Sequence, residues 1–564
     1  MRSPRVFVLF SILFSILLLV APAAHGQPTD TTALPEIAPR EIEIRSEREI
    51  ALPALERQPL TGFVQAPTVP TVPADRAPYV GTYTYPLDSL PRSLPLPTPS
   101  SPAFRPPAPP TQGSLEGGTG RAFSRFFEGR VQHPLSAATR LSVHGAYRGT
   151  EADPDDDVAK ARLQLRRTTE SVTVDGALYG RAQRYALHGA RPQAADSLGT
   201  PRREGTLAGG SVGVHTSGPL PASATAQYER ASYASTLGRD VPERTFTQQQ
   251  FVLRGDATLP VWLRPRLEAT YRRSWLGGDP ARETAFDLQA AGTISVIDRA
   301  TVALDLGGAT LAYGTPAVPT RPSLGTAEAT YVAPVVRAEW RVSEAVRLYA
   351  RTQPQLGASS LEALATTNPY TQYAPSLRPS LETTHADAGL TYTPGPVRIV
   401  AEAGYRYAPT YRYFTQTRPD ALFDVRYDAA RILEGRAEVA LQGRRGVQAS
   451  LSMTVRDARL TALDADIPNM ATVTADAMVA VAVADGDGTL TAYGHVAGPR
   501  DARLGSAAPQ LDAAWSLDLE AAYAITPRID LLARAHNISD EAPVRWAGYP
   551  RAPAQLSAGL RLHW

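Results

Sequence analysis

The feature that most constrains this chain is a two-residue rhythm of apolar and polar side chains, sustained from Gly113 to Trp564. In Arg162-Leu163-Gln164-Leu165-Arg166 the leucines fall on one side and the polar groups on the other. The pattern recurs in Arg266-Leu267-Glu268-Ala269-Thr270-Tyr271-Arg272, in Val346-Arg347-Leu348-Tyr349-Ala350-Arg351, and in Arg398-Ile399-Val400-Ala401-Glu402-Ala403-Gly404-Tyr405-Arg406. Successive side chains of a strand point to opposite faces, so each segment reads as a strand with one apolar and one polar face. No amphipathic helical pattern of ten or more residues interrupts the series. The fold class is therefore all-β.

The connections between these segments are of two alternating kinds. One kind is tight: His133-Pro134-Leu135, Thr169-Glu170, Gly218-Pro219, Asp298-Arg299, Ser343-Glu344, Pro394-Gly395-Pro396, Gly443-Arg444-Arg445-Gly446, Asp485-Gly486-Asp487-Gly488 and Pro527-Arg528. The other is long and polar: 151–158, 192–204, 236–244, 359–380 and 540–551. Short turns at one end and long loops at the other describe a transmembrane antiparallel β-barrel of the outer-membrane type. Counting the turns, with a first strand near 113–120 and a last at 556–564, gives about 22 strands. That leaves about 20 residues per strand and connection, and a tilted strand needs ~9–11 to cross. The 23 Tyr against 13 Phe fit an aromatic girdle, with Tyr405, Tyr407, Tyr411 and Tyr413 expected at the outer rim of one strand. Arg347, Arg351, Glu402 and Arg406 fall on the polar phase and are expected to line the lumen. In Leu556-Ser557-Ala558-Gly559-Leu560-Arg561-Leu562-His563-Trp564 the apolar positions alternate to a final aromatic. Leu560, Leu562 and Trp564 form the pattern by which barrel-assembly machinery recognises its clients.

Two segments precede the barrel. Residues 1–26 have the form of a secretory signal peptide: Arg2 and Arg5, a largely apolar run from Val6 to Val20, and Ala24-His25-Gly26 before the expected cut. Residues 27–112 hold 19 of the 50 prolines, a density that removes backbone donors and favours extended polyproline II over a packed core. Within them Glu41-Ile42-Glu43-Ile44 alternates as a short exposed strand does, either as plain linker or as a peptide that adds to the sheet of a periplasmic partner.

Composition removes other classes. With 57 basic and 55 acidic side chains the formal charge is +2, which gives no surplus for a nucleic-acid partner. The absence of cysteine excludes disulfides, thiolate metal sites and a thiol nucleophile. The nine histidines show no metal-ligand spacing, and neither a Gly-x-Ser-x-Gly elbow nor a phosphate-binding loop occurs, so no cofactor and no enzymatic activity are expected. Asp153-Pro154-Asp155-Asp156-Asp157 reads as a solvated acidic loop tip and Asp485–Gly488 as a hairpin turn rather than calcium sites.

The end of the chain resembles a TonB-dependent receptor barrel. Asn537-Ile538-Ser539-Asp540 is similar to the motif that closes the penultimate strand of that family, and Gly548-Tyr549-Pro550 to its final loop. Asn368-Pro369-Tyr370, followed by Pro375-Ser376-Leu377-Arg378-Pro379, is similar to a mid-barrel loop. The resemblance covers about 113–564. It implies a 22-strand barrel in the outer membrane, reached by export, that passes or takes up a solute. It departs in one respect: those receptors carry a folded plug before the barrel, and the proline-rich 27–112 does not suit one. The chain thus resembles a plugless, Bacteroidetes-type relative. Outer-membrane lipid and the assembly machinery are expected partners, with TonB or a separate periplasmic or lipoprotein partner implied. A second expectation is a non-transporting platform that binds a partner or surface ligand through its long loops; a third is a soluble secreted β-protein.

Overall fold

The computed structural model describes residues 110–564 apart from 122–123, 151–155, 188–200, 238–242, 278–281, 316–326, 358–359, 373–377, 418–420, 444–445, 506–508, 540–545 and 550–553. The expected leader, the strand at Glu41–Ile44 and all but the last three residues of the proline-rich segment lie outside the described residues, as does Asp153–Asp155.

Twenty-two antiparallel strands, from Gln112–Gly120 to Gln555–His563, pair each with the next in chain order. The last returns to the first, with Ser114 opposite His563 and Gly120 opposite Ser557, so the sheet is a closed cylinder without a free edge. The strands carry the expected alternation. Leu165, Val212, Leu253, Leu433 and Leu451 stand exposed on the outer face, where a membrane-spanning barrel presents apolar side chains to acyl chains. The inner face is built from ion pairs. Arg272 meets Asp287 at 3.1 Å, and Arg337 meets Glu268 at 3.3 Å.

All nine expected tight turns join strands at one end of the cylinder. A tenth, 259–265, is an addition. It contains no Asp-Gly or Gly-Gly pair; Arg264 takes the left-handed conformation (φ 41°), and its N–H reaches the Val261 carbonyl at 2.8 Å to reverse the chain. The other end carries the long connections, among them two that the sequence pattern did not single out, 461–472 and 498–513. The 484–487 turn is the expected hairpin reversal, with Ala484 and Asp485 at φ 52° and 57°.

One expectation about the aromatic rim is corrected. Tyr405 and Tyr407 are exposed on the outer face, but Tyr413 is buried with Ile432, Leu460 and Ile467, and Tyr411 packs against the same group. The register of strand Val397–Thr415 against Asp424–Gln442 slips between Ala408 and Tyr411. Pro409 falls in that slip, and a bulge there transfers the following side chains to the opposite face.

The seam between first and last strands is held by charge as well as by backbone. Glu116 is 8% exposed and accepts from Arg534 at 2.8 Å and from Arg561 at 2.9 Å. The Arg534 guanidinium lies 4.6 Å above the Phe126 ring. Gly113 and Trp564 exchange two backbone hydrogen bonds of 3.1 Å, and the Trp564 ring fills the space a Gly113 side chain would need. Leu560, Leu562 and Trp564 lie exposed on the outer face of this strand and its end.

Close strand approach also fixes Gly307. A Cβ there would lie 1.8 Å from the Gly292 carbonyl oxygen, whereas one at Gly435 would meet nothing within 4 Å. Gly307→Ala is therefore expected to cost about 1–3 kcal/mol through backbone displacement. The temperature at which the folded band is lost in a heat-modifiability gel should fall, while Gly435→Ala leaves it unchanged or slightly raised. Equal behaviour of the two variants would contradict this packing.

Candidate functional site: a strap across the loop end

The connection between strands Val346–Thr352 and Thr384–Tyr392 does not stay outside the cylinder. Its two legs pair, Gln355 opposite Glu382 and Leu356 opposite Leu381, and they support a short helix, Leu361–Thr367. Ser360 caps this helix, its Oγ accepting from the Ala363 N–H at 3.0 Å, which satisfies one otherwise open donor of the first turn.

The partners of this segment lie far around the wall. It joins the thirteenth and fourteenth strands, yet its contacts are with the fifth to eighth, 172–186, 202–216, 222–236 and 244–258. The Glu362 carboxylate takes Arg181 at 2.6 Å and the Tyr233 hydroxyl at 2.7 Å. Buried Arg203 and the Tyr185 hydroxyl both donate to the Pro369 carbonyl, at 2.6 and 2.9 Å. The Leu361 N–H donates to Gln248 Oε1 at 2.7 Å. Such contacts can be reached only by crossing the mouth, so residues 360–372 form a strap from one side of the wall to another.

The far end of the strap is clamped by aromatic packing. Tyr370 stacks on Tyr549 with ring centroids 3.9 Å apart, and Trp546 meets both Phe414 and Phe423 edge to face. Tyr370 and Gln372 exchange backbone hydrogen bonds with Phe423 at 3.0 and 2.7 Å. Leu361, Leu364, Phe423 and Tyr549 are almost wholly buried in one cluster that joins strap, wall and final loop. Thus Asn368-Pro369-Tyr370 and Gly548-Tyr549, which are 180 residues apart, meet face to face.

Beside the strap opens a cavity of about 950 Å3. Tyr370, Trp546 and Tyr549 contribute aromatic wall, and the ionisable lining residues are Arg412, Arg456, Arg500, His495 and Glu382.

The four lumen candidates are distributed as follows. Arg351 pairs with Asp387 at 3.1 Å and approaches Glu402 at 4.0 Å, so these two candidates are brought together. Glu402 also accepts from the Tyr349 hydroxyl; the Tyr349 ring lies across Gly389, which has no side chain to obstruct it. Arg406 belongs to a neighbouring group, meeting Glu434 at 3.0 Å, which also holds Arg456 at 2.5 Å. Arg347 stands apart beside Glu339 at 3.5 Å. Sequence reasoning missed Arg181, Arg203, Tyr233 and Glu362; the signal available was the pair of loop motifs, whose mutual contact nothing in the linear order reveals.

No protein-family model matches this sequence, and no curated protein matches it. Solved structures of similar fold do exist. The siderophore receptor PirA from Acinetobacter baumannii superposes with a TM-score of 0.61 at 12% identity over 80% of each chain. The copper transporter OprC gives 0.62 at 13% identity, over 81% of this chain and 80% of that one. The FrpB iron transporter from Neisseria meningitidis (F3-3 variant) gives 0.63 at 10% identity, over 81% and 82%. At such identities the likeness is one of fold.

Proposed function

We propose that this protein is an outer-membrane barrel of the TonB-dependent-receptor type that passes a solute, with its long loops facing outward. In this reading it has no folded plug domain, and the strap is the closure of its outer mouth. Residues 1–26 serve as a cleaved signal and 27–112 as an extended periplasmic or lumen-inserted segment, with Glu41–Ile44 offered to TonB or another periplasmic partner. Arg347, Arg351, Glu402 and Arg406 line the passage, and Leu560, Leu562 and Trp564 address the chain to the assembly machinery. The protein carries no catalytic role. The observation that bears most of this reading is the strap itself, a buried, ion-paired crossing of an otherwise polar cylinder.

A second reading takes the same strap as permanent, a platform whose mouth stays shut and whose loops bind a partner. Planar-bilayer recording separates the two. For a transporter, the chain lacking 27–112 and carrying Glu362→Gln should conduct. A protein that stays closed after both changes is the platform.

A further inference from the structure

The outer face changes character in an ordered way along the strands 222–236, 244–258, 266–277 and 282–298 towards the loop end. The register places Ala226, Leu253, Tyr271 and Leu288 in one outward row. The next row is Tyr228, Phe251, Arg273 and Phe286, and the one above it Arg230, Gln249, Trp275 and Thr284. Apolar, then aromatic, then polar is the order a membrane boundary imposes, since aromatic rings settle at the headgroup level. An outward arginine costs ~2–4 kcal/mol at the bilayer midplane but ~0–1 near the interface, so Arg230 and Arg273 sit where such groups are tolerated.

Tolerance does not explain their company. Arg273 stacks over the Trp275 ring at 5.3 Å, and the Tyr228 hydroxyl donates to Gln249 Oε1 at 3.2 Å, which directs the Gln249 amide nitrogen away from the tyrosine. Both arginines are exposed, and among the described residues neither makes an ion pair. None of the outward residues in these three rows is a carboxylate. Arg459, on another part of the outer face, is instead surrounded by acids: Asp457 at 3.2 Å, Asp466 at 3.7 Å and Asp464 at 3.8 Å. Arg230 and Arg273 rise from strands two places apart, about 10 Å across the sheet, within the combined reach of two extended arginine side chains.

We propose that Arg230 and Arg273, with Gln249 and Trp275, form a binding site on the lipid-facing surface for the phosphate of a phosphorylated glycolipid of the outer leaflet. The two guanidiniums supply charge-assisted donors to the phosphate oxygens, the indole packs against the sugar, and the acyl chains lie along the row of Leu253 and Leu288. The proposal uses the outward orientation of the loop end from the functional reading, but not transport.

The test is native mass spectrometry of the full chain in detergent with bisphosphorylated lipid A, and with the same lipid after phosphatase treatment. The phosphorylated form should bind at least ~10-fold more tightly, and Arg230→Gln/Arg273→Gln should remove that preference while Arg230→Lys/Arg273→Lys retains part of it. Equal binding of the two lipids by the unaltered protein overturns the site, and this comparison holds even if the glutamine pair fails to fold. Undiminished preference in a folded glutamine pair overturns it as well. So does full displacement of the lipid by millimolar inorganic phosphate, which would mark a simple anion site. Cell fractionation tests the membrane assignment separately.

Discussion

On the proposed reading, Glu362→Gln should open the barrel at its loop end. The substitution keeps the shape of the side chain but leaves Arg181 facing the strap without its counter-charge. Loss of one partner from a buried ion pair costs about 3–5 kcal/mol, and less where water still reaches the groups. Arg181 and Glu362 are 18% and 21% exposed, so about 1–3 kcal/mol is the expected loss of strap closure. At 1.4 kcal/mol per decade this shifts the open-to-closed ratio roughly 5- to 150-fold. Single-channel recording of the chain lacking 27–112 should register it as a matching rise in open probability. Arg181→Gln should act in the same direction, and the double variant should add little to either, because both remove one interaction. A channel whose open probability ignores all three variants would mean that the strap is not the closure.

The second large effect is expected at the seam. Glu116→Ala leaves two guanidiniums, Arg534 and Arg561, directed at a vacated and largely buried position. The two guanidiniums keep only the more distant Glu520 (3.7 Å) and Asp530 (3.8 Å), and because they are 21% and 31% exposed the loss should be about 2–4 kcal/mol. The folded band in a heat-modifiability gel should therefore be lost at clearly lower temperature than in the unaltered chain, and at lower temperature than in Gly307→Ala. Glu116→Gln, which retains an acceptor for one arginine, should fall between. If Glu116→Ala melts like the unaltered protein, the backbone pairing alone closes the cylinder.

Most of the cylinder was legible because its physics is local. A strand facing acyl chains on one side and polar groups on the other must alternate, and nine of ten reversals were marked by Gly, Pro, Asp or polar pairs. The turn at 259–265 escaped because its prolines enclose the apolar Val261-Trp262-Leu263, which reads as strand, and because Arg264, not a glycine, adopts the positive φ. Tyr411 and Tyr413 were misplaced because the rhythm was carried unbroken through Pro409, where the register slips. The strap was illegible for a different reason. Residues 359–380 read as a polar loop, yet Glu362 and Pro369 find Arg181 and Arg203 on strands that precede them by more than 160 residues. Only the closed geometry of the wall brings those groups opposite one another.

That first strand lies hydrogen-bonded to the last, with Ser114 opposite His563, has a consequence for biogenesis. Until residues 555–563 arrive, the nascent wall keeps two unsatisfied margins, one at each terminus, both able to recruit foreign strands. A stop codon only ten positions early would thus yield not a slightly shortened cylinder but a splayed sheet prone to self-association, and quality control should degrade it rather than tolerate a partial product.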